Sequence, residues 1–143
     1  MNELELLEKA IVIAVGAHKA QKDRYGAPYV LHPLRIMARV ETTREKTVAI
    51  LHDVVEDTEW TFEKLRQEGF PEDIISALDC LTKREKEPYE DLVKRAAANP
   101  LARRVKISDL EDNMDIGRMP ELTDETKTRL EKYLKAWHLL TGR

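Results

Sequence analysis

Residues 47–57 read Thr47-Val48-Ala49-Ile50-Leu51-His52-Asp53-Val54-Val55-Glu56-Asp57. An apolar run leads directly into four groups able to bind a metal or move a proton, on what reads as one helix from Arg44 to about Asp57. His52 and Glu56 lie one helical turn apart, as do Asp53 and Asp57. Successive residues turn by about 100°, so the four groups fan over one side of the axis and its flank. Three carboxylates at that spacing repel one another. Placed against a core they shift toward their neutral forms unless cations or hydrogen bonds compensate, and a divalent metal is the simplest compensation. Taken singly, a charged helix residue belongs to a solvated face and a lone His beside apolar neighbours to a boundary. The set reads differently because the rest of the chain supplies matching groups.

On the amino-terminal side, residues 3 to 22 carry Leu4, Leu6, Leu7, Ile11, Ile13, Ala14, Val15 and Ala17 on a broad helical face, with His18 near its end. Gly26 and Pro28 break that helix in a loop rich in charge and aromatics. His32-Pro33 opens the next helix, Pro33 suiting its first position and Leu34, Ile36, Met37 and Val40 its buried face. On the carboxyl-terminal side, Thr61 is expected to cap a helix over Phe62–Gln67 that ends at Gly69. Pro71 starts another, with Ile74, Ile75, Ala77, Leu78 and Leu81 inward. Asn99-Pro100 separates a helix at Tyr89–Ala98 from one at Leu101–Asp115, whose polar members include Lys106, Asp109, Asp112 and Asn113. Thr123 caps a last helix, in which Leu130, Tyr133, Leu134 and Trp137 recur at three- and four-residue intervals. With no internal repeat and no credible strand pair, the expectation is an all-α single domain over residues 1–143, a bundle of about six to eight helices.

Composition agrees with that reading. The chain is 42% hydrophobic and 36% charged, and five Gly and six Pro leave little turn chemistry for an all-β fold. The longest apolar run, Ala10 to Ala17, is too short to span a bilayer, and the acidic amino terminus is unlike a signal peptide. Cys80 is the only cysteine, which excludes an internal disulfide or a thiolate cluster, fits a reducing, cytoplasmic setting, and reads as a buried apolar residue. A net charge of −3 with scattered Lys and Arg argues against duplex nucleic acid as a partner, whereas a small anion needs only local convergence of cations.

Metals that activate water take imidazole nitrogens and carboxylate oxygens with a coordination position left open. His32, the pair His52-Asp53, and Asp109 offer such donors from three helices, and an inward Asp in a bundle core calls for a partner. Three ordered motifs accompany them: Pro28-Tyr29-x-x-His32-Pro33, His52-Asp53-x-x-Glu56-Asp57-Thr58 and Lys106-x-x-Asp109-x-x-x-Asn113. Together with Gln21, Gly26 and Leu81-Thr82-Lys83, they resemble the hydrolase domain of the RelA/SpoT alarmone enzymes, within the HD phosphohydrolase superfamily. The resemblance runs from about residue 15 to 116. For a chain of 143 residues, the resemblance leads to the expectation of a small stand-alone alarmone hydrolase without synthetase or regulatory domains.

The resemblance implies that His32, His52, Asp53 and Asp109 hold one divalent metal, manganese in most of the family. It further implies that Glu56 and Asp57 orient and deprotonate the attacking water and that Asn113 touches the substrate ribose. Arg24 and Tyr29 lie in the purine-side loop, and Lys83 and Lys106 are candidate phosphate contacts. The implied reaction removes the 3′-pyrophosphate of a guanosine or adenosine tetra- or pentaphosphate. The partner is a small-molecule nucleotide, not a nucleic acid or membrane, with homo-oligomerisation left open. Two departures bear on substrate choice. Asp23 stands where the family carries a cation near the purine, and Glu111-Asp112 replaces residues that are often basic or aromatic. Competing readings are an HD nucleotidase or phosphodiesterase on simpler nucleotides, and a catalytically silent alarmone-binding module, against which the intact Glu56-Asp57 pair argues.

Overall fold

A computed structural model describes residues 1–143, with nine α-helices, one 3-10 turn and no strand beyond an isolated bridge between Lys22 and Pro28. The expected all-α bundle is the fold observed. Helix α3 (Thr43–Leu51) is its axis, with α1 (Glu3–Ala17), α2 (Leu31–Arg39), α6 (Glu72–Asp79) and α8 (Pro100–Asn113) packed around it. Thr47, Val48, Ala49, Ile50 and Leu51 are all buried, so the apolar run is buried on every side. Helices α4 (Val54–Asp57), α5 (Phe62–Gln67), α7 (Tyr89–Ala97) and α9 (Asp124–Thr141) complete the set. The main core joins α1, α2, α3 and α6 with Val54, Leu65, Phe70 and the start of α8, and a smaller cluster of Val93, Leu110, Ala136 and Leu140 seats α9 on α7 and α8.

Helix starts follow local chemistry. Asn2 with Glu5 and Thr42 with Glu45 form reciprocal capping boxes, and the side chains of Thr61, Asn99 and Thr123 each accept from a first-turn amide. Pro100 occupies the first turn of α8, where its missing N–H is harmless. Pro33 sits two residues inside α2, which begins at Leu31.

The stretch 44–57 is not one helix. His52 Nδ1 donates to the Ala49 carbonyl at 2.8 Å, competing for a backbone acceptor, and Asp53 takes φ −106° and ψ 0°. The chain therefore turns a corner at His52-Asp53, and Glu56 and Asp57 ride on a separate one-turn helix. Helix α1 likewise stops at Ala17 instead of reaching residue 22, and Ala20 adopts φ 69°. Of its apolar face only Ala10, Ile13 and Ala14 are buried, while Leu4 and Val15 are exposed. In α9 the buried residues are Thr126, Ala136 and Leu140; Leu134 is exposed, and Leu130 and Tyr133 wall a cavity instead of filling the core. Cys80 is half-buried.

Candidate active site

Helix α2, the α3–α4 corner and α8 bring His32, His52, Asp53 and Asp109 together. His32 Nε2 lies 2.9 Å from Asp109 Oδ1, and His52 Nε2 lies 2.9 Å from Asp53 Oδ2 and 3.6 Å from Asp109 Oδ1. Because His52 Nδ1–H is committed to the Ala49 carbonyl, the lone pair of the neutral ring sits on Nε2. That atom is buried and has no hydrogen-bond partner, although two carboxylates surround it. A buried, orphaned nitrogen facing carboxylate oxygens is compatible with the donor set of a divalent metal. His32, His52 and Asp109 each offer a ligand atom within 4.8 Å of the others, and so do Asp53, Glu56 and Asp57.

The electrostatics show the same need for positive charge. Burial disfavours the imidazolium forms of His32 and His52, yet the neighbouring carboxylates raise both above the usual histidine range. Burial also disfavours carboxylate charge, but His52 holds Asp53 below its usual range, and Lys106 with the two imidazoles does the same for Asp109. Protons or a divalent cation can each supply the compensating charge for this cluster. Asp57 differs. Burial, then the Asp53 and Glu56 carboxylates, push it up to about 6, where it can accept a proton near neutral pH.

A cavity of about 450 Å³ opens over this cluster, within the range of small-molecule sites. Asp53, Glu56, Asp57 and Asp109 line it, as do Arg24, Tyr29 and Asn113. The Tyr29 hydroxyl donates to Asp53, and Asn113 Nδ2 donates to Asp109 Oδ1 at 3.2 Å. Glu56 Oε1 accepts the Lys83 backbone N–H at 2.7 Å. The Lys83 side chain is exposed and does not line the cavity. Lys106 does not line it either: its ammonium is buried, 3.0 Å from Asp109 Oδ2, and that carboxylate holds its pKa up against burial.

Cations missed in the sequence reading line the cavity instead: Lys22, Arg35, Arg118 and Arg129. Arg35 was traceable as the residue one helical turn beyond His32; Arg118 and Arg129 carry no local signal. Asp23 is a loop staple, its Oδ1 accepting the Tyr25 and Ala27 amides at 2.8 and 3.0 Å. Asp112 is fully buried, accepting from His32 Nδ1 at 2.6 Å and from Arg35 through both carboxylate oxygens.

No protein-family model matches the chain. Its curated relatives include a guanosine-3′,5′-bis(diphosphate) 3′-pyrophosphohydrolase of Aquifex aeolicus, 31% identical over 122 residues, which cover 77% of this chain and 17% of that protein. A GTP pyrophosphokinase of Streptomyces coelicolor is 32% identical over 155 residues, covering 97% of this chain and 18% of its own length. The chain thus spans less than a fifth of either relative. A solved structure described as a metazoan ortholog of SpoT that hydrolyses ppGpp and plays a role in starvation responses shares the fold. Its TM-score is 0.76 at 23% identity, over 94% of this chain and 84% of that one. Helices that converge His, His-Asp and Asp on one buried point define an HD domain, and the His/Asp group is compatible with a divalent metal. The chain belongs to the RelA/SpoT-type HD family. No helix is long and apolar enough to cross a membrane.

Proposed function

We propose that residues 1–143 form one domain that hydrolyses the 3′-pyrophosphate of a guanosine or adenosine tetra- or pentaphosphate. In this reading His32, His52, Asp53 and Asp109 hold one manganese ion. The observation that carries it is the Glu56-Asp57 pair set beside the ligand cluster in a cavity that also presents arginines. The named activities of the relatives, 3′-pyrophosphohydrolase and ppGpp hydrolysis, support the substrate class. Imidazole and carboxylate donors suit manganese, and the lone Cys80 suits the cytoplasm.

A divalent cation bound there supplies positive charge to the phosphoryl oxygens and lowers the pKa of water. The chain's own residues do the rest. Asp57, poised near neutrality, accepts the proton of the attacking water. Glu56 is anchored through Oε1 to the Lys83 amide, leaving its second oxygen to orient that water. Arg24, Arg35, Arg118 and Arg129 oppose the phosphate charge. Water oxygen bonds to phosphorus, the bond to the ribose 3′ oxygen breaks, and that oxygen takes a proton as pyrophosphate leaves.

Ion-exchange chromatography of reactions with 3′-pyrophosphorylated guanosine and adenosine nucleotides and manganese tests this. Pyrophosphate and the matching nucleoside 5′-diphosphate or 5′-triphosphate are the expected products. Orthophosphate release from simple nucleotides without pyrophosphate, or binding without turnover, would overturn the reading.

A further inference from the structure

The His32 ring bridges two carboxylates one turn apart on α8. Nε2 faces Asp109 Oδ1 at 2.9 Å, and Nδ1 donates to Asp112 Oδ2 at 2.6 Å. Asp112 has no exposed surface. Arg35 Nη2 approaches the same Oδ2 at 3.0 Å and Arg118 Nη2 at 3.4 Å, while Oδ1 receives Arg35 Nε at 2.8 Å and Arg39 Nη2 at 3.7 Å. Arginines alone could satisfy a buried carboxylate. The short bond to His32 adds something they do not need: an acceptor at Nδ1 keeps the proton there and leaves Nε2 to donate its lone pair. His52 reaches the same state with a neutral acceptor, the Ala49 carbonyl. The two histidines are therefore oriented by different devices, and only His32 has a charged one.

We infer that Asp112 is a positioning residue of the metal centre: it sets the tautomer and ring orientation of His32, and its arginine collar holds it in place for that task. Two members of the collar, Arg35 and Arg118, also line the cavity, so one carboxylate organises a metal ligand and part of the phosphate-facing wall. This rests on the reading of His32 as a metal ligand.

Calorimetric titration of manganese into chelator-stripped protein tests it without turnover. Asp112→Asn keeps the shape and an acceptor oxygen but loses the charge, and is expected to weaken manganese binding by roughly 10- to 100-fold. Glu111→Gln, whose parent carboxylate accepts from Trp137 Nε1 at 3.1 Å, should bind as the wild type does. A folded Asp112→Asn with wild-type manganese affinity overturns the inference, even if its metal-free melting temperature falls. Absence of manganese binding by the wild type overturns the metal reading itself. Should Asp112→Asn fail to fold, imidazole ¹⁵N shifts of wild-type protein loaded with diamagnetic zinc decide the matter. A proton on His32 Nδ1 is expected, and one on Nε2 overturns the inference.

Discussion

Replacing Lys106 with Met removes a cation whose Nζ lies 3.0 Å from Asp109 Oδ2, between side chains only 13% and 8% exposed. At that distance and an effective dielectric near 20, the gross attraction is about 5.5 kcal/mol. Met retains much of the apolar stem but none of the charge, and losing one partner of a buried pair costs about 3–5 kcal/mol. At roughly 3 °C per kcal/mol for a chain of this size, the metal-free variant should melt on the order of 10 °C below wild type. Saturating manganese should recover most of the deficit, because the ion compensates Asp109 in place of Lys106 and binding stabilises the folded state. Scanning calorimetry in chelator and in manganese measures both differences. An equal deficit under the two conditions would refute compensation of Asp109 by Lys106. Unchanged stability with weaker substrate binding would make Lys106 a phosphate contact.

Glu56→Gln and Asp57→Asn should bind manganese and substrate as wild type does but slow the chemical step by about 10²-fold or more, read by single-turnover kinetics; full turnover in both would reassign the proton transfer. Asp23→Ala removes the acceptor for the Tyr25 and Ala27 amides and should raise KM for guanosine and adenosine substrates by the same factor, with kcat retained. A changed ratio between the two substrates would instead assign base reading to Asp23. The Arg95 hydrogen bonds, opposed by burial, hold Glu87 down to about 2, below its ordinary 4.5. A depressed carboxyl pKa contributes stability that is present above the unfolded value and lost as pH falls through the folded one. Glu87→Gln should therefore destabilise the chain at pH 6, with the gap closing between pH 4.5 and about 2 in urea titrations. A gap that does not change with pH would deny the ion pair its role.

Several features were legible before any packing was known, since they depend on neighbours within one or two turns. Thr61 and Thr123 cap helices because a side-chain oxygen meets an amide three residues on, and Asn99-Pro100 starts α8 by the same rule. The burial of residues 48–51 follows from an uninterrupted apolar run. Donor chemistry and the family resemblance single out His32, His52-Asp53 and Asp109, and packing brings these residues onto one point. Only the tertiary structure decided what each polar group faces. The bend at His52-Asp53 is local in sequence, yet the imidazole that helps break the ladder does so from a position fixed by the core. Asp112 read as a stray acidic substitution because its partner His32 lies 80 residues away. Lys106 reads as a phosphate contact because the same sequence describes a lysine turned to a substrate and one turned to Asp109. Caps and hydrophobic periods are short-range and survive in a one-dimensional reading. The partner of a buried charge is chosen by how helices pack, where leaving a charge unpaired costs several kcal/mol.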